Sequence, residues 1–120
     1  MSHQPCVLVA EDEMIVGFDL CDTVKEAGFD VSGPYDTAQS AFDAIAQRRP
    51  DLAILDINLD DGEVYPLAEQ LMAANVPVIF HSGRVDPQEV SGRYPDAHAL
   101  SKPCPPNRII ATMHEALAAA

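Results

Sequence analysis

Three acidic residues and one lysine stand where apolar runs end in this 120-residue sequence. Glu11 and Asp12 follow Cys6-Val7-Leu8-Val9-Ala10, Asp56 follows Leu52-Ala53-Ile54-Leu55, and Lys102 comes just after Leu100. A carboxylate at the end of a buried strand is costly unless a partner uses it. Singly, each residue has an ordinary explanation: Asp56 as a helix cap or turn, Ser82 as a turn former, Asn58 as a loop residue, Lys102 as a surface lysine. Together they form a constellation. Crowded carboxylates repel one another, and a hard divalent cation with oxygen ligands, magnesium first among them, relieves the repulsion. Beside such a cation Asp56 can act as a nucleophile toward phosphorus, with Ser82 donating to one phosphoryl oxygen and Lys102 pairing with another.

The chain must bring these residues to one place, and its patterning says how. Cys6 to Ala10 is apolar throughout, as a parallel strand buried on both faces should be. A helix is predicted from Glu13 to Ala27, ended by Gly28 as a left-handed cap. Phe29 to Gly33 reads as a weaker, more polar strand at a sheet edge, and Pro34-Tyr35 as a turn before a helix capped by Asp36 or Thr37 that carries Ala41, Phe42 and Ile45 inward. Leu52 to Leu55 is the third strand, followed by a loop through Gly62 and a helix over Tyr65 to Ala74. Val76 to Phe80 is the fourth strand, with His81-Ser82-Gly83 as a loop. Arg84 to Tyr94 predicts a short or irregular helix, Ala97 to Ser101 a fifth strand, and the segment after Pro106 a helix with Ile109, Ile110, Met113 and Leu117 inward.

Strands alternating with helices imply crossover connections, hence an α/β fold: a doubly wound five-stranded parallel sheet with helices on both faces. Ligands of such sheets sit beyond the carboxyl ends of the strands, where strand order reverses. Glu11, Asp12, Asp56, Ser82 and Lys102 all follow strands and reach that edge.

Composition narrows the classes. A hydrophobic fraction of 48% argues against disorder, and 120 residues suffice for one domain, residues 1–120, with a core of its own. No run approaches the ~20 apolar residues of a membrane span, and the first residues lack a signal-peptide pattern, so the expectation is a cytoplasmic protein. Three widely spaced cysteines give neither a disulfide framework nor a zinc site. A formal charge of −12 disfavours nucleic acid as a partner. His3, His98 and His114 lack metal-ligand spacing, and His81 reads as a packed or solvated residue.

An acid pair after the first strand, an aspartate after the third, Ser82 with a small neighbour after the fourth and Lys102-Pro103 after the fifth resemble the receiver domain of bacterial two-component response regulators. The resemblance covers Cys6 to Ala118. It implies the (βα)5 receiver fold with strand order 2-1-3-4-5, phosphoryl transfer from a histidine kinase or phosphotransfer protein to Asp56, and Mg2+ as cofactor. It further implies direct magnesium ligation by Asp12 and Asp56, ligation by Glu11 through water and by Asn58 through its main-chain carbonyl. Ser82 takes the role of switch hydroxyl, Lys102 that of phosphate-binding cation, and the Lys102-Pro103 bond is expected to be cis. Such a protein is a phosphoacceptor rather than an enzyme, acting on an unknown downstream protein, without nucleic acid or membrane. Phe80-His81-Ser82-Gly83 is most similar to a Phe-Ala-Thr-Gly subgroup of stand-alone receivers paired with HWE-class kinases, and a last helix reaching Ala120 fits that stand-alone expectation. Three features depart from the family pattern: Ala99 where an aromatic is usual, Leu59-Asp60 in place of Met-Pro, and a short stretch between Ser82 and Lys102.

The first helix is apolar on two sides. At about 100° per residue, Val16, Leu20 and Val24 form the stripe expected to face the sheet, and Met14, Phe18 and Cys21 the opposite one. Read as a partner surface, the second stripe joins Pro103 and Cys104 in the loop before the last helix, where the resemblance places the kinase's helical hairpin. Two other functions compete: a degenerate receiver that binds partners regardless of phosphorylation, and a haloacid-dehalogenase-like phosphatase, disfavoured by Asn58 where that family has a second acid.

Overall fold

The computed structural model describes residues 4–83 and 87–119. In chain order the strands are β1 (Cys6–Ala10), β2 (Asp30–Tyr35), β3 (Leu52–Leu55), β4 (Asn58–Leu59), β5 (Gly62–Glu63), β6 (Val78–Ser82) and β7 (His98–Ser101). The helices are α1 (Met14–Glu26), α2 (Ala38–Gln47), α3 (Tyr65–Ala73), α4 (Pro87–Arg93) and α5 (Pro106–Ala119). Five strands form one parallel sheet in the order β2-β1-β3-β6-β7. Counting only sheet strands, this is the expected 2-1-3-4-5, and the order reverses between β1 and β3.

Burial on both faces explains the apolar sequences. Every residue of β1, β3 and β6 is buried, whereas the edge strand β2 has none. Successive side chains point to opposite faces. Leu8, Ala10, Ala53, Leu55 and Phe80 therefore pack under α2, α3 and α4, while Val7, Val9, Leu52, Ile54 and Ile79 pack under α1 and α5.

Local signals set the helix ends. Gly28 takes φ +95°, and the amides of Gly28 and Phe29 donate to the carbonyls of Lys25 (3.0 Å) and Val24 (3.3 Å), a two-bond C-terminal closure. Thr37, not Asp36, caps α2: its hydroxyl accepts from the Ser40 amide at 3.1 Å. The segment after Asp56 is a small antiparallel hairpin, β4–β5, where the sequence suggested only a loop. Asp61 at its tip accepts from the Ala38 and Gln39 amides (2.8 and 3.1 Å), fastening the hairpin to the start of α2.

Several boundaries differ from the sequence reading. Pro34 and Tyr35 belong to β2, not to a turn, because an edge strand tolerates a proline and the register slips here beside Leu8 and Ala10. The fourth sheet strand begins at Val78 and runs through His81 and Ser82, which the sequence placed in a loop. The fourth helix covers Pro87–Arg93, and the part of its predicted range at 84–86 lies outside the described residues. Cys21 is the clearest correction: it is buried, not on an outward face. Gly17 lies so close to β2 that a Cβ there would sit 2.9 Å from that of Pro34, and this approach rolls α1 so that Gly17, Leu20, Cys21 and Val24 form the buried stripe. Val16 is left half-buried at its flank.

Gly33, at φ +124°, faces the Val9 carbonyl of β1 with no room for a Cβ. Gly33→Ala is expected to cost about 1–3 kcal/mol through forced backbone strain, read as a lower urea midpoint at unchanged slope.

Candidate functional site: an acidic pocket at the strand ends

The residues singled out by type converge where strand order reverses. Glu11 and Asp12 leave β1, Asp56 leaves β3, Asn58 opens β4, Ser82 ends β6 and Lys102 follows β7. Asp12, Glu13, Asp56, Asn58, Ser82, Gly83 and Lys102 line a cavity of about 280 Å³. Backbone hydrogen bonds fix the strand ends: the Asp56 amide donates to the Ala10 carbonyl (2.8 Å), and the Lys102 amide to the Ser82 carbonyl (3.0 Å). The Lys102-Pro103 bond is cis.

Lys102 is the cation of this group. Its Nζ lies 2.6 Å from Glu11 Oε1, 3.1 Å from Asp56 Oδ2 and 3.7 Å from Glu13 Oε1. Glu11 is 1% exposed and Asp56 6%. Glu13, which the sequence reading left out, was legible as the third acid of Glu11-Asp12-Glu13. It meets the site through its contact with Lys102 and by donating its amide to Glu11 Oε2 at 3.1 Å.

One ammonium cannot neutralise three clustered acids. Burial, and then the hydrogen bond with Asp56, push Glu11 up to about 8 despite its contact with Lys102, and the same two causes raise Asp12. Burial also works against ionised Asp56, but hydrogen bonds from Glu11, Asp12 and Lys102 outweigh it and hold Asp56 below the usual range. Asp56 is thus the carboxylate that keeps its charge. Lys102 is raised: burial alone would lower it, but its bonds to Glu11 and Asp56 prevail.

Glu11, Asp12 and Asp56 each offer a carboxylate oxygen, and these oxygens lie within 4.8 Å of one another. An all-oxygen, partly buried set with excess negative charge suits a hard cation such as magnesium. Asn58 adjoins it, its amide making a long 3.4 Å hydrogen bond to Asp56 Oδ1. Asp56 therefore receives Lys102 on one oxygen and Asn58 on the other.

His81 does not join this pocket. It points to the opposite side of β6, buried, with no hydrogen-bond partner for either ring nitrogen among the described residues, and burial followed by the charge of Lys102 lowers its pKa. It underlies a groove of about 530 Å³ between α1 and α5 that Val16, Leu20, Pro103, Cys104 and Ile109 also line. Met14, Ile15 and Phe18 are exposed on α1, with Phe18 at 58%, and none of them lines this groove. Of the residues expected on a partner surface, Met14, Phe18 and Pro103 are exposed, Cys104 is half-buried and Cys21 is buried; Ile15 is exposed as well.

A doubly wound parallel sheet with an acidic, lysine-closed pocket at its switch point defines an α/β class whose members work at that sheet edge. The chain matches the response regulator receiver domain family over residues 7–114, and it belongs to that family, a receiver domain of two-component signalling. Receiver domains bind magnesium at this acidic pocket. The chain is 30% identical over 112 residues to the sensory transduction protein LytT of Bacillus cereus, covering 89% of this chain and 45% of LytT. It is 25% identical over 95 residues to the transcriptional regulatory protein PdtaR of Mycobacterium tuberculosis, covering 79% and 46%. The chain thus spans about half the length of these curated relatives. The solution structure of the receiver domain of the Erythrobacter litoralis PhyR response regulator superposes with a TM-score of 0.84 at 30% identity, covering 95% of this chain and 90% of that one. Among the described residues no helix is long and apolar enough to cross a membrane.

The raised Glu11 has a measurable consequence. Its carboxyl binds a proton in the folded state up to about pH 8, while the unfolded chain releases it near 4.5. The folded state therefore holds the extra proton between these values, and stability falls as pH rises. Below 6.5 the lowered His81 opposes this trend, since the unfolded imidazole takes up a proton there. Without divalent cation, Tm is expected to fall from pH 6.5 to 8, and Glu11→Gln to flatten the slope, as scanning calorimetry across that range reads directly.

Proposed function

We propose that this chain is a single receiver domain that accepts a phosphoryl group on Asp56 from a histidine kinase or phosphotransfer protein. The observation that carries the reading is the placement of Asp56: 6% exposed, lining the cavity and held at Oδ2 by Lys102 at 3.1 Å, with the hydrogen bonds of its neighbours favouring the charged form. An Asp56 oxygen attacks phosphorus, forming the new P–O bond as the bond to the donor's leaving group breaks. Lys102, already on an Asp56 oxygen, is within reach of a phosphoryl oxygen attached there, and Ser82 on the cavity wall supplies a hydroxyl donor. Asp12, Asp56 and the main-chain carbonyl of Asn58 would hold magnesium, with Glu11 acting through water. When bound, the ion supplies positive charge against the phosphoryl oxygens. Phosphorylated, the domain signals to a downstream protein through surface contacts or drains phosphate from a shared kinase.

Acetyl phosphate with magnesium is expected to add the mass of one phosphoryl group to the wild-type chain and none to Asp56→Asn, and Lys102→Ala is expected to be labelled at least about tenfold more slowly. Equal labelling of Asp56→Asn by intact mass spectrometry would place the acceptor elsewhere.

The donor surface is proposed on α1 and the Lys102-Pro103 loop. Met14, Ile15 and Phe18 form an exposed apolar patch on α1, and such patches mark interfaces. Phe18→Ala is expected to slow phosphotransfer from a kinase about tenfold, as truncation of a central aromatic does at interfaces, and to leave acetyl phosphate labelling unchanged. Equal losses in both assays would remove Phe18 from the interface.

A further inference from the structure

Across β6 and β7, Phe80 is paired with Ala99, whose methyl group leaves the Phe80 ring without a large neighbour on that strand. Tyr94, just past α4, packs there instead. Its ring lies 5.7 Å from that of Phe80 at 30° and 5.7 Å from that of Tyr65 on α3 at 29°. The Tyr94 hydroxyl donates to Glu69 of α3 at 2.6 Å, and the Arg93 guanidinium lies 4.1 Å over the Tyr65 ring. One side chain thus joins β6, α3 and the end of α4.

Two further observations give this junction a role. Phe80 and Ser82 are two residues apart on β6, so they share a face, and Ser82 lines the Asp56 cavity. Movement of the β6 end toward Asp56 is therefore felt at the Phe80 ring. Helix α4 has little core of its own, since Val90 is its one buried side chain among the described residues. Its position depends on Val90 and on what Tyr94 holds.

We infer that Tyr94 is a positioning residue through which a change at Asp56 reaches α4, an inference that rests on phosphoryl acceptance at Asp56. The phosphoryl group carries about two negative charges in place of the one that ionised Asp56 loses, and sets three acceptor oxygens beside Ser82. Drawing the end of β6 toward them shifts Phe80 beneath Tyr94. Packed contacts respond by moving between discrete arrangements rather than by stretching, so the stack either carries α4 with it or parts and releases it.

Hydrogen exchange of the full chain, with and without acetyl phosphate and magnesium, tests this. In the wild type, exchange across residues 87–93 is expected to change about fivefold on phosphorylation. Tyr94→Leu is expected to be labelled on Asp56 to the same extent while this change disappears. Tyr94→Phe, which keeps the ring, is expected to retain it; loss there too would assign the coupling to the Glu69 bond and keep Tyr94 in its role. Tyr94→Met replaces the leucine variant if that chain no longer unfolds cooperatively. A wild-type response in the leucine or methionine variant overturns the inference, and so does a wild type labelled on Asp56 whose α4 exchange is unchanged. Absence of any mass gain on Asp56 overturns the phosphoacceptor reading itself, and the role of Tyr94 falls with it.

Discussion

The ammonium of Lys102, held between Glu11 and Asp56, is the interaction on which the site depends. Two carboxylates almost wholly removed from water, with Asp12 beside them, repel one another strongly where the local dielectric is low. Lys102 offsets part of that repulsion, and a proton on Glu11 offsets more. A pocket left short of positive charge is ready for a cation, and Asp56 keeps its own charge because its neighbours donate hydrogen bonds to it.

This balance requires four strands to end at the same height. The Asp56 amide on the Ala10 carbonyl and the Lys102 amide on the Ser82 carbonyl extend the sheet ladder one residue past its strands, setting β1 against β3 and β6 against β7. The alternation of side chains then divides the work: Phe80 and Ser82 face the α3–α4 side, while Ile79 and His81 face the α1–α5 side. One face of β6 adjoins Asp56 and α4, and the other adjoins the groove between α1 and α5. The β4–β5 hairpin, fastened to α2 through Asp61, steadies Asn58 at the pocket's rim.

Much of this was legible in the residues. Runs such as Val7-Leu8-Val9 and Leu52-Ala53-Ile54 have the unbroken apolarity of strands buried on both faces, and the acids, Asn58, Ser82 and Lys102 are marked by type at their ends. Other features were hidden because they arise from contacts between distant segments. Cys21 looked outward until Gly17 met Pro34, a contact no periodicity reveals because glycine carries no hydropathic signal. His81 and Ser82 looked like a loop because polar residues in a strand are explained only by the cavity and the groove they border. Ala99 was conspicuous for the aromatic it lacked, while Tyr94 lay in an irregular stretch with nothing to connect it to Phe80.

The sequence by itself determined the class of fold and the chemical character of the pocket, because these follow from alternation, strand-end residue types and charge, all of which are local. The sheet order was implied by the resemblance to receiver domains, not by the patterning. Only the tertiary structure decided which carboxylate stays ionised, which side of α1 remains exposed and which aromatic stands over Phe80. Each of these depends on distances of a few ångströms between residues far apart in the chain. Coulombic and packing energies change steeply over such distances, and the order of residues does not encode them.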